Sequence, residues 1–422
     1  MSKNINNIIE PKLRFPDFRD NNTWSYKNGN ELFDQISNKD HKSDLPILAI
    51  TQEHGAIPRD EIDYNVTVTD KSVESYKVVE IGDFIISLRS FQGGIEYSKF
   101  RGLCSPAYIV LRKKNEAVDD FFKYYFKTRN FISDLNKNIE GIRDGKMVSY
   151  KQFSDLLLPM SSVQEQQKIA NSLSSIDHLL VLEDQKLENL KAYKQGLMQQ
   201  LFPAKGKTIP ILRFPEFREA AEWTLELLEN KTNKIGSGVT PKGGDKNYKK
   251  NGRPFIRSQN VGWGQLLLED VVFIDEKLHS TFSATEINQD DVLLNITGAS
   301  IGRCTVADSR IKGGNVNQHV CIIRTNRELN PFYLAQYLIS KGGQNQIDSF
   351  QAGGNRQGLN FAQIRSFLIP LPPKYEEQCK IADCLFSIDR LIAVLVEKIE
   401  VLNAHKKGLM QQLFPTNTDA DK

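Results

Sequence analysis

From Lys234 to Asn260 the chain carries seven basic residues (Lys234, Lys242, Lys246, Lys249, Lys250, Arg253 and Arg257) against one acid, Asp245. Lysine and arginine at this density suit the phosphates of a polyanion. Gly236, Gly238, Gly243, Gly244 and Gly252 punctuate the run and would keep it open to a surface. Gln259 and Asn260, followed later by Asn315, Asn317 and Gln318 with His319 beside them, add hydrogen-bonding side chains suited to base edges. Arg89-Ser-Phe-Gln92-Gly93 and Arg143-Asp-Gly-Lys146 offer similar chemistry in the first half of the chain. Together they favour two nucleic-acid-reading surfaces. The candidate contacts are Arg89, Gln92, Arg143, Lys146, Lys242, Lys246, Lys249, Arg253, Arg257, Gln259, Asn260, Asn317 and Gln318.

Catalytic constellations are not found. Gly206-Lys207-Thr208 ends like a phosphate-binding loop, but Leu201 stands where the loop's first glycine belongs. Pro16-Asp17 with Asp40-His41-Lys42 has the loose spacing of a magnesium nuclease. Pro16-Asp17, however, belongs to a repeated motif whose second copy has Val239 at the position equivalent to Asp40. No acidic Pro-Pro-aromatic tetrad of the kind that grips a flipped base occurs, and the six histidines lack metal-ligand spacing. The expectation is a binder with no catalytic or metal-ligating residues and no cofactor of its own. The rivals are an enzyme with a fused nuclease or methyltransferase activity, and a free-standing bipartite DNA-binding protein.

The elements that must position these residues come in two copies. Arg14-Phe-Pro-Asp-Phe-Arg19 recurs as Arg213-Phe-Pro-Glu-Phe-Arg218, and Trp24 matches Trp223. Lys168-Ile-Ala170 recurs as Lys380-Ile-Ala382, and Gly196-Leu-Met-Gln-Gln-Leu-Phe-Pro203 as Gly408-Leu-Met-Gln-Gln-Leu-Phe-Pro415. The offset grows from 199 to 212, so the second copy holds a net insertion of 13 residues between its opening motif and its helix. Between these frames the two interiors barely resemble each other. The identical octapeptides suggest equivalent docking surfaces for two copies of one partner, with Leu197, Met198, Gln199, Leu409, Met410 and Gln411 as candidates.

Steps of four and three from Ile169 reach Leu173, Ile176, Leu180, Glu183, Leu187, Leu190, Lys194, Leu197 and Leu201, eight of ten apolar. The second copy, from Ile381 to Leu413, has nine of ten apolar, broken at Lys406. This 3.5-residue period is a coiled-coil seam, stopped by Pro203 and Pro415. Val66–Thr69, Phe84–Ser87, Ala107–Leu111, Val271–Ile274, Val292–Ile296 and Val320–Arg324 read as strands, and Phe121–Phe131 and Phe332–Ile339 as helices. The expected fold is mixed α/β (α+β): two pseudo-repeated globules separated by two long helices forming an antiparallel coiled coil. That pairing would place Pro415 near Arg14 as Pro203 is near Arg213. The expected boundaries are 1–161 and 211–373 for the domains, 162–203 and 374–415 for the spacer helices, 204–210 for a linker and 416–422 for a disordered tail.

The 422 residues, 40% hydrophobic and 25% charged, have globular composition with enough chain for two cores. The net charge of +3 permits a nucleic-acid partner without demanding one. The longest apolar run, Leu391–Val396, is too short to span a membrane, and Met1–Glu10 lacks a signal peptide's apolar stretch. Five cysteines without a CxxC pair fit a reducing, cytoplasmic setting.

These features resemble the specificity subunit of type I restriction-modification systems across nearly the whole chain. The resemblance rests on Gly236-Ser-Gly-Val-Thr-Pro241, Asp291-Val-Leu-Leu-Asn-Ile-Thr-Gly-Ala-Ser-Ile-Gly302, Asn317-Gln-His-Val320, Gln357-Gly-Leu-Asn360, Ile369-Pro-Leu-Pro-Pro373 and Glu377-Gln378. The first half keeps Glu165-Gln166 but has Phe91-Gln-Gly-Gly94 in place of the fuller glycine motif, and Lys146-Met-Val-Ser149 in place of Gln-Gly-Leu-Asn. The resemblance implies two target-recognition domains, each reading half of an asymmetric bipartite sequence in double-stranded DNA. It further implies two adenine methyltransferase subunits and motor-nuclease subunits as partners, with methyl donor, ATP and Mg²⁺ bound on those partners.

Overall fold

The structure is a computed structural model that describes residues 9–20, 24–62, 73–137, 148–351 and 358–416. The expected strand at 66–69, Arg143 and Lys146, Gln357, and residues 417–422 of the expected tail lie outside the described residues. The chain divides into two units. The first comprises Met1–Glu183 with Lys398–Lys422, and the second Asp184–Glu397.

Each unit is built on the same sheet. In the first, Phe33–Ile36, Ile109–Lys113, Phe84–Ile86 and Glu96–Tyr97 lie side by side in that order, all antiparallel. In the second, Thr232–Ser237, Val320–Thr325, Val292–Asn295 and Cys304–Val306 repeat the order and the antiparallel sense. Registers correspond as well: Phe84 faces Leu111 as Val292 faces Ile323. The interiors that differ in sequence therefore share a fold. A second, two-stranded ladder closes each frame, Ser25–Asn28 against Leu157–Met160 and Thr224–Leu227 against Leu368–Leu371.

Equivalent side chains hold the two copies. A bidentate pair locks the turn into the central strand: Arg112 donates Nε and Nη2 to Asp83 at 2.7 Å each, and Arg324 does so to Asp291 at 2.7 and 2.8 Å. These bonds raise the pKa of both guanidinium groups above the ordinary arginine value. Asp83 and Asp291 are each 1% exposed, so their charges need these partners. At the frame, Arg14 donates to Glu165 at 2.8 and 3.0 Å, and Arg213 to Glu377 at 2.7 and 2.8 Å. The neighbouring glutamine carboxamides cap the interior helices. Gln166 Oε1 accepts from Val118 N at 3.0 Å and Gln378 Oε1 from Asn330 N at 2.9 Å. The Glu-Gln dipeptide at each helix start thus joins opening motif, globule and helix.

The long helices run Val163–Leu201 and Tyr375–Leu413. All twenty expected seam positions are buried or half-buried, including the polar Glu183, Lys194 and Lys406. Within the first unit, Lys398 bonds Glu183 at 2.5 Å and Lys406 pairs with Asp177 at 2.5 Å, so the two helices run antiparallel there. Within the second, Lys194 pairs with Asp389 at 2.7 Å, the equivalent contact with the helices' roles exchanged. Tyr124 donates to Asp177 at 2.8 Å, and its equivalent Gln336 to Asp389 at 2.7 Å, tying each globule to the charged layer.

The repeated octapeptides close the two cores. Phe414 packs 5.1 Å from Phe121 and 5.6 Å from Tyr125, ring to ring. Phe202 packs 5.4 Å from both Tyr333 and Tyr337. Leu13 N donates to Gln412 O, and Leu212 N to Gln200 O, both at 2.9 Å, so each opening motif abuts a helix end within its own unit. This packing divides the docking candidates. Met198 is buried, and Leu197, Leu409 and Met410 are half-buried against their own cores, leaving Gln199 and Gln411 exposed.

One helical expectation needs adjustment. Phe121–Phe131 is two helices, Asp119–Tyr125 and Arg129–Lys137, because Thr128 Oγ1 turns back to Tyr125 O at 2.8 Å and accepts from Phe131 N at 3.3 Å. Ser149 departs from the Gln-Gly-Leu-Asn pattern but still caps Tyr150–Ser154 with Gln152, as Asn360 caps Phe361–Arg365 with Gln363.

Candidate nucleic-acid interface

In the second unit, chain segments far apart in sequence converge where several strands end. Asn317 N donates to Ile256 O at 2.9 Å, Gly238 N to Asn317 O at 3.1 Å, and Asn295 Nδ2 to Ser258 O at 2.8 Å. Gly238 has no room for a side chain, since a Cβ there would lie 1.6 Å from Val316 O. It therefore serves close packing rather than openness. Thr297 Oγ1 lies 2.6 Å from His319 Nδ1, and Thr297 also bridges Gly358. The result is an edge that gathers Gly238, Ser258, Asn295, Thr297, Asn317, His319 and Gly358.

The expected basic loop separates into two groups. Thr232–Ser237 and Arg253–Ile256 are strands, so only the segment between them is loop. Lys242, Lys246, Lys249 and Lys250 are exposed with no side-chain partner among the described residues. The other three basic groups are engaged. Lys234 donates to Ala284 O, and burial lowers its pKa. Arg253 Nε donates to Glu276 at 2.6 Å and Nη1 to Gly313 O at 2.8 Å. Arg257 donates to Asp270 O at 2.8 Å, with its guanidinium over the Tyr248 ring.

Asp270 organises the neighbouring amides as well. Gln259 donates to its carboxylate, and Asn260 Nδ2 lies 2.9 Å from Oδ1. Asn260 is fully buried, with its Oδ1 accepting from Arg257 N, so it shapes the turn and is removed from the base-reading candidates. Asn317 is also buried. Its Oδ1 accepts from His319 N at 3.0 Å and folds the turn that presents Gln318 and His319. Asn315 is sequestered beneath His279, Phe282 and Thr285. Gln318 is exposed, with Nε2 3.3 Å from His319 Nε2. Thr297 was missing from the candidate set, although a motif carrying the family resemblance contains it.

In the first unit, Arg89 and Gln92 are exposed on the segment after Phe84–Ile86, Arg89 in a turn and Gln92 in the single helical turn Ser90–Gly93. Counting from the Asp83 and Asp291 turns, Arg89 occupies the place of Thr297, and Gly94 that of Gly302. Both glycines have left-handed backbones, φ 81° and 84°, so the altered glycine motif keeps the same bend. Among the described residues, no group of three or more His, Cys, Asp or Glu side chains could hold a metal ion. No helix there is long and apolar enough to cross a membrane.

Two sheet-and-helix units with the same internal bonds but different loop tips define a duplicated recognition protein. Residues 24–192 and 233–404 both match the type I restriction modification DNA specificity domain, and the chain belongs to that family. It is similar to the type I restriction enzyme MjaVIII specificity subunit of Methanocaldococcus jannaschii, at 24% identity over 83% of this chain and 81% of that protein. Its fold is similar to the crystal structure of the type I restriction-modification S subunit from M. genitalium, with a TM-score of 0.59 and 18% identity, covering 97% of this chain and 100% of that one. A second fold match comes from a structural study of complex assembly in the type I R-M system. Its TM-score is 0.54 at 17% identity, covering 92% of this chain and 97% of the other.

Proposed function

We infer that this specificity subunit reads an asymmetric bipartite sequence in double-stranded DNA, one half-site per domain, without catalysing a reaction itself. One observation carries the reading: the same antiparallel sheet, with the same buried ion pairs, is built twice and ends in loops of different chemistry. A shared scaffold gives both domains the same way of approaching a groove. Different loop tips give them different bases to select.

The long helices space the half-sites. They also offer equivalent apolar positions outside the seam: Leu179 and Leu182 are 37% and 47% exposed, and their equivalents Leu391 and Val394 are 58% and 63% exposed. Each pair takes one adenine methyltransferase subunit, which is why the surface occurs twice. Methyl donor, ATP and Mg²⁺ belong to those subunits and to motor-nuclease subunits, and the assembly works in the cytoplasm.

Base-resolution methylation mapping in cells with and without the gene tests this reading. A split motif that disappears with the gene supports it, and unchanged methylation refutes it. For the catalytic assignment, the purified chain is given labelled methyl donor, Mg²⁺, ATP and unmodified DNA. Turnover that scales with its concentration and survives repurification would overturn it.

A further inference from the structure

The two domains carry their long polar side chains at different places on the same scaffold. In the second, Thr297 and His319 touch. Their equivalents in the first are Arg89 and Ala107. Where the second domain has a short side chain on the loop after the central strand and long ones, Gln318 and His319, on the neighbouring turn, the first reverses the arrangement. Its neighbouring turn is Pro106-Ala107, and its long side chains sit on the loop after the central strand, Arg89 at the N-cap and Gln92 within the single helical turn Ser90–Gly93 that the loop contains.

That loop is held by its backbone. Three alternate carbonyls each accept from a side chain of a different segment: Arg89 O from Gln52 at 3.2 Å, Phe91 O from Asn136 at 2.8 Å, and Gly93 O from Lys127 at 3.0 Å. Lys127 is itself fixed by Glu96, 2.6 Å away and 2% exposed. Arg89 and Gln92 meanwhile have no side-chain partner among the described residues. A loop clamped through its carbonyls while its longest polar side chains stay free is suited to direct readout. The side chains bind without the cost of ordering the backbone.

We propose that Arg89 and Gln92 are the base-reading residues of the first domain, Arg89 for a guanine and Gln92 for an adenine, with Lys127 and Asn136 as positioning residues. Arginine fits O6 and N7 of guanine in bidentate fashion, and glutamine fits N6 and N7 of adenine. The second domain reads instead from Gln318 and His319. The proposal rests on the bipartite reading above and adds the residues and bases.

The test uses the full chain in complex with its methyltransferase subunits, on duplexes carrying single base-pair changes across the mapped target. Arg89→Ala should reduce discrimination at one G·C position of one half-site by about 10- to 100-fold, and Gln92→Ala at one A·T position of the same half-site. Both should leave the other half-site intact, where Gln318→Ala and His319→Ala should act. Lys127→Met should weaken the same discrimination as Arg89→Ala although Arg89 is still present. Should that variant fail to fold, as judged by circular dichroism, Asn136→Ala provides the same comparison. The proposal is overturned if Arg89→Ala and Gln92→Ala leave both half-sites unchanged. It is equally overturned if they weaken every duplex alike and lower the salt slope by about one each, as phosphate contacts would. A wild-type complex with no split target would instead refute the bipartite reading.

Discussion

The basic loop of the second domain gives a salt dependence that can be calculated. Lys242, Lys246, Lys249 and Lys250 are exposed without side-chain partners among the described residues, whereas Arg253 and Arg257 are held by Glu276 and Asp270. A phosphate contact releases counterions, and each lowers the slope of log affinity against log salt by about 0.9. Replacing all four lysines with glutamine should therefore flatten the slope of the assembled complex by about 3.6. Between 50 and 200 mM salt, wild type should lose about 150-fold more affinity than the variant. Arg253→Ala should leave the slope unchanged, because its guanidinium is already neutralised by Glu276. Fluorescence anisotropy over a salt titration, on specific and unrelated duplexes, measures both effects. Since phosphates carry no sequence information, the lysine variant should weaken the two duplexes alike. An unchanged slope, or an Arg253 effect equal to that of one lysine, would refute the assignment.

Glu377→Gln leaves the buried Arg213 charge uncompensated and should cost about 3 kcal/mol. In differential scanning calorimetry that is a fall of roughly 6–12 °C for a unit of this size. Glu165→Gln should cost at least as much, because Glu165 also accepts from the Trp24 indole at 3.2 Å. Leu179→Glu with Leu182→Glu should reduce the methyltransferase copies bound from two to one in native mass spectrometry, as should Leu391→Glu with Val394→Glu. Deleting one in-phase heptad from each long helix keeps the seam and removes about 10 Å. Any surviving methylation motif should keep both half-sites and shorten its gap by about three base pairs.

The frame was legible because its constraints are local and periodic. A 3.5-residue seam, a proline stop and two recurring motifs survive in the sequence as patterns, and they gave the helices and the duplication directly. The strand order and register that the two interiors share were not legible. What preserves them is sparse: one Asp-Arg pair per sheet, separated by 29 residues in the first domain and 33 in the second, among apolar residues that interchange freely so long as volume is conserved. Phe84-Ile-Ile86 and Val292-Leu-Leu294 fill the same strand without sharing a residue. Loss of sequence likeness between the interiors therefore measured only how interchangeable buried apolar side chains are.

Site residues were half legible for a related reason. Composition finds amides and basic groups but cannot distinguish a group that faces DNA from one used to build the loop. Asn260 and Gln318 look equivalent in the sequence, yet Asn260 is sealed under the Asp270 turn and Gln318 is exposed. The distinction follows from competition for partners. A buried amide without hydrogen bonds costs about 1–3 kcal/mol, so the fold satisfies interior amides first and leaves exposed ones to water or a ligand. At a reading edge the polar groups that shape the loop and those that read bases are thus drawn from the same residue types. The Asp270 turn spends Arg257, Gln259 and Asn260 on architecture, while the clamp around Arg89–Gly93 uses backbone carbonyls and leaves Arg89 and Gln92 without side-chain partners among the described residues. A loop fixed through its backbone can change its reading side chains without losing its shape. That allows two domains on one scaffold to select different bases.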